Sequence, residues 1–276
     1  MAIGDISLSS SARSNLTALN TTASLLAQTQ EHLSTGKTVN TASDNATAYF
    51  ASKGFLNSAN DLNNVKNNLA TALESVNSFD NSISDVTSVI VQLQGLATQA
   101  LGTTDTNTRA GLASQFNALT TQLDQLVNDA TFNGSNLLNS ATATLVVFFN
   151  ETNTTALTIT GVNVTSAGLL TSSGNTASSS WANTSDIQSS QSYLLTALST
   201  LRTDAANFGG NATLIQTRQD FTSNLINSLQ NASTDLVQAD TNTEGANLQA
   251  LQAQDQLGIV SLGISGTLEQ AILRIL

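Results

Sequence analysis

A single hydrophobic seam in the first half of the chain limits the fold more than any other feature. The residues between its apolar positions are mostly Asn, Ser, Asp, Thr and Gln. Spacings of three and four residues alternate without interruption over Leu62, Val65, Leu69, Ala72, Val76, Phe79, Ile83, Val86, Ile90, Leu93, Ala97 and Ala100. This is a heptad pattern, and a helix that long with one apolar face must lie against other helices. The absence of proline agrees with long uninterrupted helices.

Both ends of the chain carry further seams. Near the N-terminus the apolar positions are Leu16, Leu19, Ala23, Leu26 and Leu33. Gly36 is expected to end that helix, and Ser43 or Asp44 to cap the next one. The last helix has an alanine-rich seam over residues 225–264, with additional leucines off the seam. A terminal helix that is apolar on more than one face needs burial by other helices or by partner molecules.

The predicted secondary structure changes twice in the middle of the chain, from helix to strand and back to helix. A third helix is expected over about 109–130, antiparallel to the second, with its seam at Leu112, Phe116, Leu119, Leu123, Leu126 and Ala130. Residues 143–149 and 156–164 are β-rich around a polar loop, which predicts a hairpin. Residues 171–185 indicate a short surface connection. Helix returns near 186, with a break expected at Gly209–Gly210. The predicted fold is therefore mainly α: a long antiparallel helical bundle or coiled coil with a small β-hairpin region at its tip.

Composition excludes several classes of function. Charged residues make up 10% of the chain, against about 25% in ordinary globular proteins. The net charge of −11 argues against nucleic-acid binding and against attraction to an anionic membrane. The chain has no cysteine and therefore no disulfide or thiolate site. Residues 1–5 (MAIGD) carry neither a basic nor an apolar leader pattern, so we expect no cleaved signal peptide.

The candidates for chemistry are sparse. His32 is the only histidine and stands beside Glu31 without a nucleophile, which favours a structural or surface role. Asp235, Asp240 and Glu244 are predicted to lie on one late helix, where a solvated or inter-subunit polar face is favoured over cation binding. No phosphate loop, zinc spacing or catalytic triad pattern is present in the sequence. We therefore predict no catalytic residue, no metal site, no cofactor and no enzyme activity.

Short segments in a fixed order resemble bacterial flagellin, in a short form without large outer domains. In chain order they are residues 33–37 (LSTGK), 40–46 (NTASDNA), 130–134 (ATFNG), 157–159 (LTI), 162–169 (VNVTSAGL), 215–218 (IQTR), 229–232 (LQNA) and 272–276 (ILRIL). The resemblance covers nearly the whole chain. It implies a structural subunit that polymerises into the extracellular flagellar filament for motility and is exported without a cleaved signal peptide.

The resemblance also implies a domain organisation. Residues 1–43 and 237–276 would pair as the terminal coiled-coil polymerisation domain of the inner tube. Residues 44–140 and 186–236 would form a helical rod domain, and residues 141–185 the β-hairpin and short surface connection that replace the outer domains. O-linked glycosylation of residues 141–185 is an alternative to a plain solvated surface, since exposed hydroxyls are the acceptors.

Assembly is expected to use the apolar side chains of the two ends, because they present more apolar surface than one antiparallel partner covers. An intramolecular bundle core is the competing explanation for these seams. The predicted subunit-interface residues are Leu16, Leu19, Leu26, Leu33, Leu257, Val260, Ile264, Leu268, Ile272 and Leu276. The implied partners are copies of the chain itself, the flagellar export apparatus and its chaperone, and the filament cap and junction proteins.

One departure from the family concerns an innate-immune Toll-like receptor. Many flagellins carry an Arg and a Glu on the second and third helices that this receptor recognises, and the corresponding positions here are about Gln92 and Gln115. We therefore expect weak or no recognition. Two alternative functions remain at this point. A hook–filament junction protein shares similar termini, and a coiled-coil surface adhesin would not polymerise.

Overall fold

The computed structural model describes residues 10–170 and 176–275, and only the backbone at residue 269 and residues 272–275. Its elements are α1 (Ser10–Thr35), α2 (Ala46–Leu101), α3 (Thr106–Asp129), β1 (Thr144–Phe148), β2 (Ala156–Thr160), α4 (Ser166–Leu169), a 3-10 turn (Ser178–Trp181), α5 (Thr184–Asp235) and α6 (Thr241–Ile275). β1 and β2 form one antiparallel two-stranded sheet. The predicted mainly α fold with a small hairpin is confirmed.

The chain divides into two compact units. The terminal unit takes in the described residues up to Ser58 and from Ser228 onwards, and the central unit is Ala59–Asn227. α2 and α5 each contribute residues to both units. The predicted division into three domains was drawn at other boundaries and stays a prediction.

The core of the central unit is built on the α2 seam. Eleven of its twelve predicted positions are buried, and Leu62 is half-buried. They share this core with residues of α3, α5 and the hairpin. The Phe79 and Phe208 rings meet at 6.4 Å, and the Phe116 and Trp181 rings at 5.0 Å. Aromatic pairs at these separations add to the burial of apolar area, so the periodicity of α2 identifies the core correctly.

On α3 the buried face is rotated from the predicted seam. Ala113, Thr120 and Val127 are fully buried beside Phe116 and Leu123. The predicted Leu112, Leu119, Leu126 and Ala130 pack against the core only in part. The buried face therefore centres on Ala113, Phe116, Thr120, Leu123 and Val127, and the predicted leucines at 112, 119 and 126 lie at its margins. The seam predicted for α3 was therefore only partly right.

Three local predictions were wrong and one is confirmed. Gly36 follows the end of α1 with φ +70°, as expected of a helix-ending glycine. Asp44 does not cap α2, because Asn45 Oδ1 accepts the Ala48 N–H at 3.1 Å instead. No break occurs at Gly209–Gly210, which lie inside the continuous helix α5. Glycine lowers helix stability by about 1 kcal/mol, but the neighbouring Phe208 is anchored in the core. The break comes instead between Asp235 and Thr241, inside the segment 225–264 predicted as one helix, so the three acidic residues do not share a helix.

The hairpin is held against the helices by its inner side chains. Its register pairs Val146 with Thr158, and Val147 and Ile159 point inward and are buried. The Arg218 guanidinium of α5 lies 4.9 Å from the Phe149 ring at the end of β1, a cation–π distance. The observed strands are shorter than the predicted segments 143–149 and 156–164.

Candidate interaction surface

In the terminal unit, α1 packs along α6. The positions of α1 that lose the most exposure repeat at three and four residues: Ala12, Asn15, Leu19, Thr22, Leu26, Thr29 and Leu33. The corresponding less exposed positions of α6 are Gly245, Leu248, Leu251, Asp255, Gly258, Ser261, Leu262, Ser265 and Gly266. Both sets mix apolar residues with small and polar ones, so the seam between α1 and α6 is only weakly hydrophobic.

Polar and small residues fix the contact between these helices. The Asn15 side-chain nitrogen donates to Ser261 Oγ at 3.1 Å and to Ser265 Oγ at 3.3 Å. A Cβ added to Gly258 would lie 3.0 Å from Leu19 Cδ1, so glycine is what allows this close approach. Such contacts determine the register of two helices but contribute less than apolar packing does.

A contact between a histidine and a carboxylate lies at the other end of the helix pair. His32 Nδ1 lies 3.0 Å from Glu244 Oε1, with both side chains mostly buried. Just beyond it the two connecting turns are joined through the backbone. The Ala239 N–H donates to Gly36 O at 2.9 Å. His32, predicted to be structural or at the surface, thus makes a structural contact with one of the three acidic residues singled out in the sequence.

Two exposed aspartates organise these turns. Hydrogen bonds from the backbone N–H groups of Thr41 and Asn40 lower the pKa of Asp44. The Thr243 hydroxyl, and after it the backbone N–H groups of Thr243 and Asn242, lower the pKa of Asp240, which caps the start of α6. Both carboxylates are therefore ionised at neutral pH. Over the described residues, no cluster of His, Asp and Glu is arranged to hold a metal ion.

The opposite face of α6 is apolar and exposed. Leu257 is 69% exposed, Val260 58%, Ile264 56% and Leu268 57%. They follow one another at spacings of three or four, so they form one stripe, hereafter the outer stripe of α6. An isolated helical hairpin would bury its most hydrophobic face between its two helices. Here the seam between the helices is weakly hydrophobic, and the strongly hydrophobic stripe lies on the outside.

The predicted interface residues divide between these two faces. Leu19, Leu26 and Leu33 are half-buried on the α1 side of the seam, whereas Leu16 is exposed. The predicted α6 residues whose side chains are described are the four of the outer stripe. The side chain of Ile272 and all of Leu276 lie outside the described residues.

Each of these two helices has a further exposed apolar residue outside the predicted set. Leu25 on α1 is 45% exposed, and Ile259 on α6 is 54% exposed. Both are large apolar residues off the seam, and that signal is readable in the sequence. Within the described ranges, no helix is both long and apolar enough to span a bilayer.

Gln92 and Gln115, the positions compared with receptor-binding flagellins, line one shallow groove in the central unit. Gln99 and Gln122, one heptad further along each helix, line it as well, with Leu96 and Leu119. The groove therefore presents neutral amides, with no charged side chain among its lining residues.

Comparison with known proteins identifies the family. The family model for the bacterial flagellin N-terminal helical region matches residues 6–143. Flagellin FljO of Caulobacter vibrioides is 30% identical over 99% of this chain and 98% of its own length. A flagellin of Brucella melitensis is 30% identical over 94% of this chain and 95% of its own. The crystal structure of Bacillus cereus flagellin is similar over 56% of this chain and 88% of that one, with a TM-score of 0.49 and 17% identity.

The family match covers half of the chain, and the two relatives align with nearly all of it. Members of this family are structural proteins that assemble with copies of themselves. The chain belongs to the bacterial flagellin family and is a structural subunit of the extracellular flagellar filament.

Proposed function

We propose that the outer stripe of α6, together with exposed apolar residues of α1, is buried between neighbouring copies of this chain in the filament. The observation that carries this proposal is the exposure of Leu257, Val260, Ile264 and Leu268, each more than half exposed. Full burial of such a side chain contributes about 1.5–3 kcal/mol. Burial of the four side chains of the stripe therefore contributes favourably to assembly of these ends.

The inner seam explains why a partner from another copy is needed. α1 already occupies the other face of α6 and is fixed there by Asn15, His32 and the close contact of Leu19 with Gly258. It cannot cover the outer stripe without giving up these contacts. A second copy offers the same apolar side chains from its own terminal unit. Because this surface carries little charge, the free-energy cost of removing it from water is low.

The assembly that fits this surface is open-ended. Contacts between different faces of identical subunits form rings where the rotation between subunits closes, and open helical filaments where it does not. In a filament the same contact repeats along a helical lattice. We propose that residues 1–43 and 237–276 form the polymerisation domain of the inner tube. In this scheme residues 44–140 and 186–236 form the surrounding helical domain, and residues 141–185 the hairpin and surface connection.

Other partners are proposed from the family alone. They are the flagellar export apparatus and its chaperone, and the filament cap and junction proteins, with export that removes no signal peptide. We propose weak or no Toll-like receptor recognition, supported by the neutral groove around Gln92 and Gln115. Pure monomer should then leave a receptor reporter cell inactive. The role of the chain is mechanical, without catalysis.

The test replaces outer-stripe residues by glutamine, which keeps good helix propensity. Val260→Gln and Ile264→Gln should each raise the critical concentration for polymerisation by at least roughly tenfold, the equivalent of about 1.4 kcal/mol. The matched control is Val91→Gln, because Val91 is similarly exposed at 52% but lies on α2 in the central unit. Sedimentation and negative-stain microscopy measure assembly, and circular dichroism checks the monomer. Normal filaments from the Val260 and Ile264 variants would reject the proposal.

A further inference from the structure

The turn between α3 and the hairpin contains a reactive pair of residues. Asn133 is the only asparagine in the chain that is followed by glycine. Both Asn133 and Gly134 are exposed to solvent. They are the two central residues of a tight turn, closed by Phe132 N–H to Ser135 O at 2.8 Å and by Ser135 N–H to Phe132 O at 3.0 Å. Water therefore reaches the side-chain amide and the peptide bond that follows it.

From this arrangement we infer that Asn133 is a site of spontaneous covalent modification, at which the asparagine converts to aspartate and isoaspartate. The backbone nitrogen of Gly134 attacks Cγ of Asn133. A new C–N bond closes a five-membered succinimide ring, the bond from Cγ to Nδ2 breaks, and the proton of the Gly134 N–H leaves with Nδ2 as ammonia. Water then opens the ring at either carbonyl carbon. No electron transfer and no other reactant are involved.

The local geometry separates this asparagine from others nearby. Asn136 is held at both ends of its amide, because Nδ2 donates to Val127 O and Oδ1 accepts the Leu138 N–H, each at 2.7 Å. Asn150 is likewise engaged within the hairpin loop. At Gly134 the nitrogen is not shielded by a neighbouring Cβ, and the space that a Cβ would occupy has no heavy atom within 4 Å. The attack thus meets little steric hindrance at Asn133.

The products change the turn in two ways. Aspartate adds a negative charge at the surface. Isoaspartate adds a carbon to the main chain between Phe132 and Ser135, whose backbone groups pair as an isolated bridge. Phe132 is half-buried and lines a cavity together with Phe79 and Leu137. Lengthening the turn is therefore expected to weaken the attachment of the hairpin at this point.

The experiment incubates the folded full-length chain in warm, mildly alkaline buffer made with heavy-oxygen water. Peptide mass mapping then follows the incorporated label at each asparagine. The internal comparison is Asn139, which is exposed and followed by serine. We expect severalfold more label at Asn133 than at Asn139, in both aspartate and isoaspartate, and a rate that rises with pH as the attacking nitrogen loses its proton.

Two variants isolate the chemistry. Asn133→Gln should abolish the label at this position over the same incubation, because attack on its Cδ would have to close a six-membered ring, which forms far more slowly. Gly134→Ala should slow the reaction through its Cβ, with circular dichroism confirming the fold. Equal label at Asn133 and Asn139 in the folded wild-type chain would overturn the inference. The measurement uses unpolymerised protein, so either result is independent of the proposed assembly surface.

Discussion

The Asn15 side-chain nitrogen donates a hydrogen bond to Ser261 Oγ at 3.1 Å and so joins α1 to α6 inside the terminal unit. A polar pair at a seam position determines the register of two helices at a cost in stability, because it displaces apolar packing. The pair occupies the seam in this chain, whereas Leu257 and Val260 face outward. The polar pair thus determines the register of α1 against α6 at the expense of the stability of their packing.

The first prediction exchanges that polar pair for apolar residues. Asn15→Leu combined with Ser261→Ala should increase the protection of α1 and α6 amides from hydrogen exchange in the unpolymerised chain, because the seam becomes more hydrophobic. Thr21→Leu is the control, since Thr21 is exposed on α1 and outside the seam. Lower protection in the double variant would mean that the hydrogen bond outweighs the packing that it displaces.

The second prediction concerns Arg109, a buried arginine that makes its hydrogen bonds to neutral oxygens. Its Nε donates to Thr103 O at 2.8 Å and to Ala100 O at 3.2 Å, and its guanidinium reaches Thr184 Oγ1 at 3.2 Å. Arg109→Lys cannot reproduce this fork and leaves buried acceptors unsatisfied. We expect a loss of about 1–3 kcal/mol in the free energy of unfolding, measured by chemical denaturation.

The control for Arg109 is the exposed Arg202 of α5. Arg202→Lys should leave the denaturation midpoint essentially unchanged, because a surface arginine lies in water in both states. Equal midpoints for the two lysine variants would contradict the role given to the buried guanidinium, which is to hold the turn between α2 and α3 against the start of α5.

The third prediction uses Asp204 of α5, where burial raises the pKa of the carboxyl. A raised pKa in the folded state means that the folded chain holds this proton more tightly than the unfolded chain does. Stability is therefore lost as pH rises from the unfolded value through the folded one. Asp204→Asn removes this penalty, so it should raise the melting temperature at neutral pH, with a difference that shrinks toward about pH 4.

Asp61→Asn provides the comparison for Asp204, because Asp61 is exposed on α2. That substitution should change the melting temperature little at any pH. A lower melting temperature for Asp204→Asn at neutral pH would show that the carboxylate makes a favourable interaction in the folded chain that outweighs its desolvation.

The fourth prediction concerns Asp105, the N-cap of α3. Its carboxylate accepts the Thr108 N–H at 2.9 Å, and hydrogen bonds from the Thr108 hydroxyl and then from that N–H lower its pKa. The stability from a lowered pKa is present above the unfolded value and is lost as pH falls through the folded one. Asp105→Ala should therefore destabilise the chain at neutral pH, and this effect should diminish in acid.

Denaturation of the Asp105 variant at neutral pH and in acid is the measurement. Asp240→Ala, at the corresponding position before α6, tests whether the effect is local, because it should loosen the terminal unit instead of the central one. Hydrogen exchange resolved along the sequence separates the two. An Asp105→Ala effect that stayed constant over the whole pH range would exclude a contribution from the carboxylate charge.

The predictability of the fold differs between α2 and α5 for a physical reason. The α2 seam could be predicted because all its apolar side chains pack into one intramolecular core. The periodicity of the sequence therefore coincides with the pattern of burial. α5 was harder, because Gly209 and Gly210 reduce local helix propensity while tertiary packing keeps the helix continuous. Local preference alone does not contain that information.

The candidate surface was predictable in composition but not in geometry. The sequence shows that α6 is apolar on more than one face, but not which face α1 takes. The structure assigns α1 to the face with Asp255 and Gly258. Nothing in the heptad pattern favours that face. Its small and polar residues allow the helices to approach closely and determine their register, and a hydrophobic pattern does not reveal either role.

The pairing of α1 with α6 joins residues that are far apart in the sequence. The side-chain hydrogen bonds of Asn15 to Ser261 and Ser265 span 246 and 250 residues, so the contact order of the terminal unit is high. The entropic cost of closing so long a loop must be met before the contacts between the two helices can stabilise the unit. We therefore expect the central unit to become compact before the terminal unit is complete.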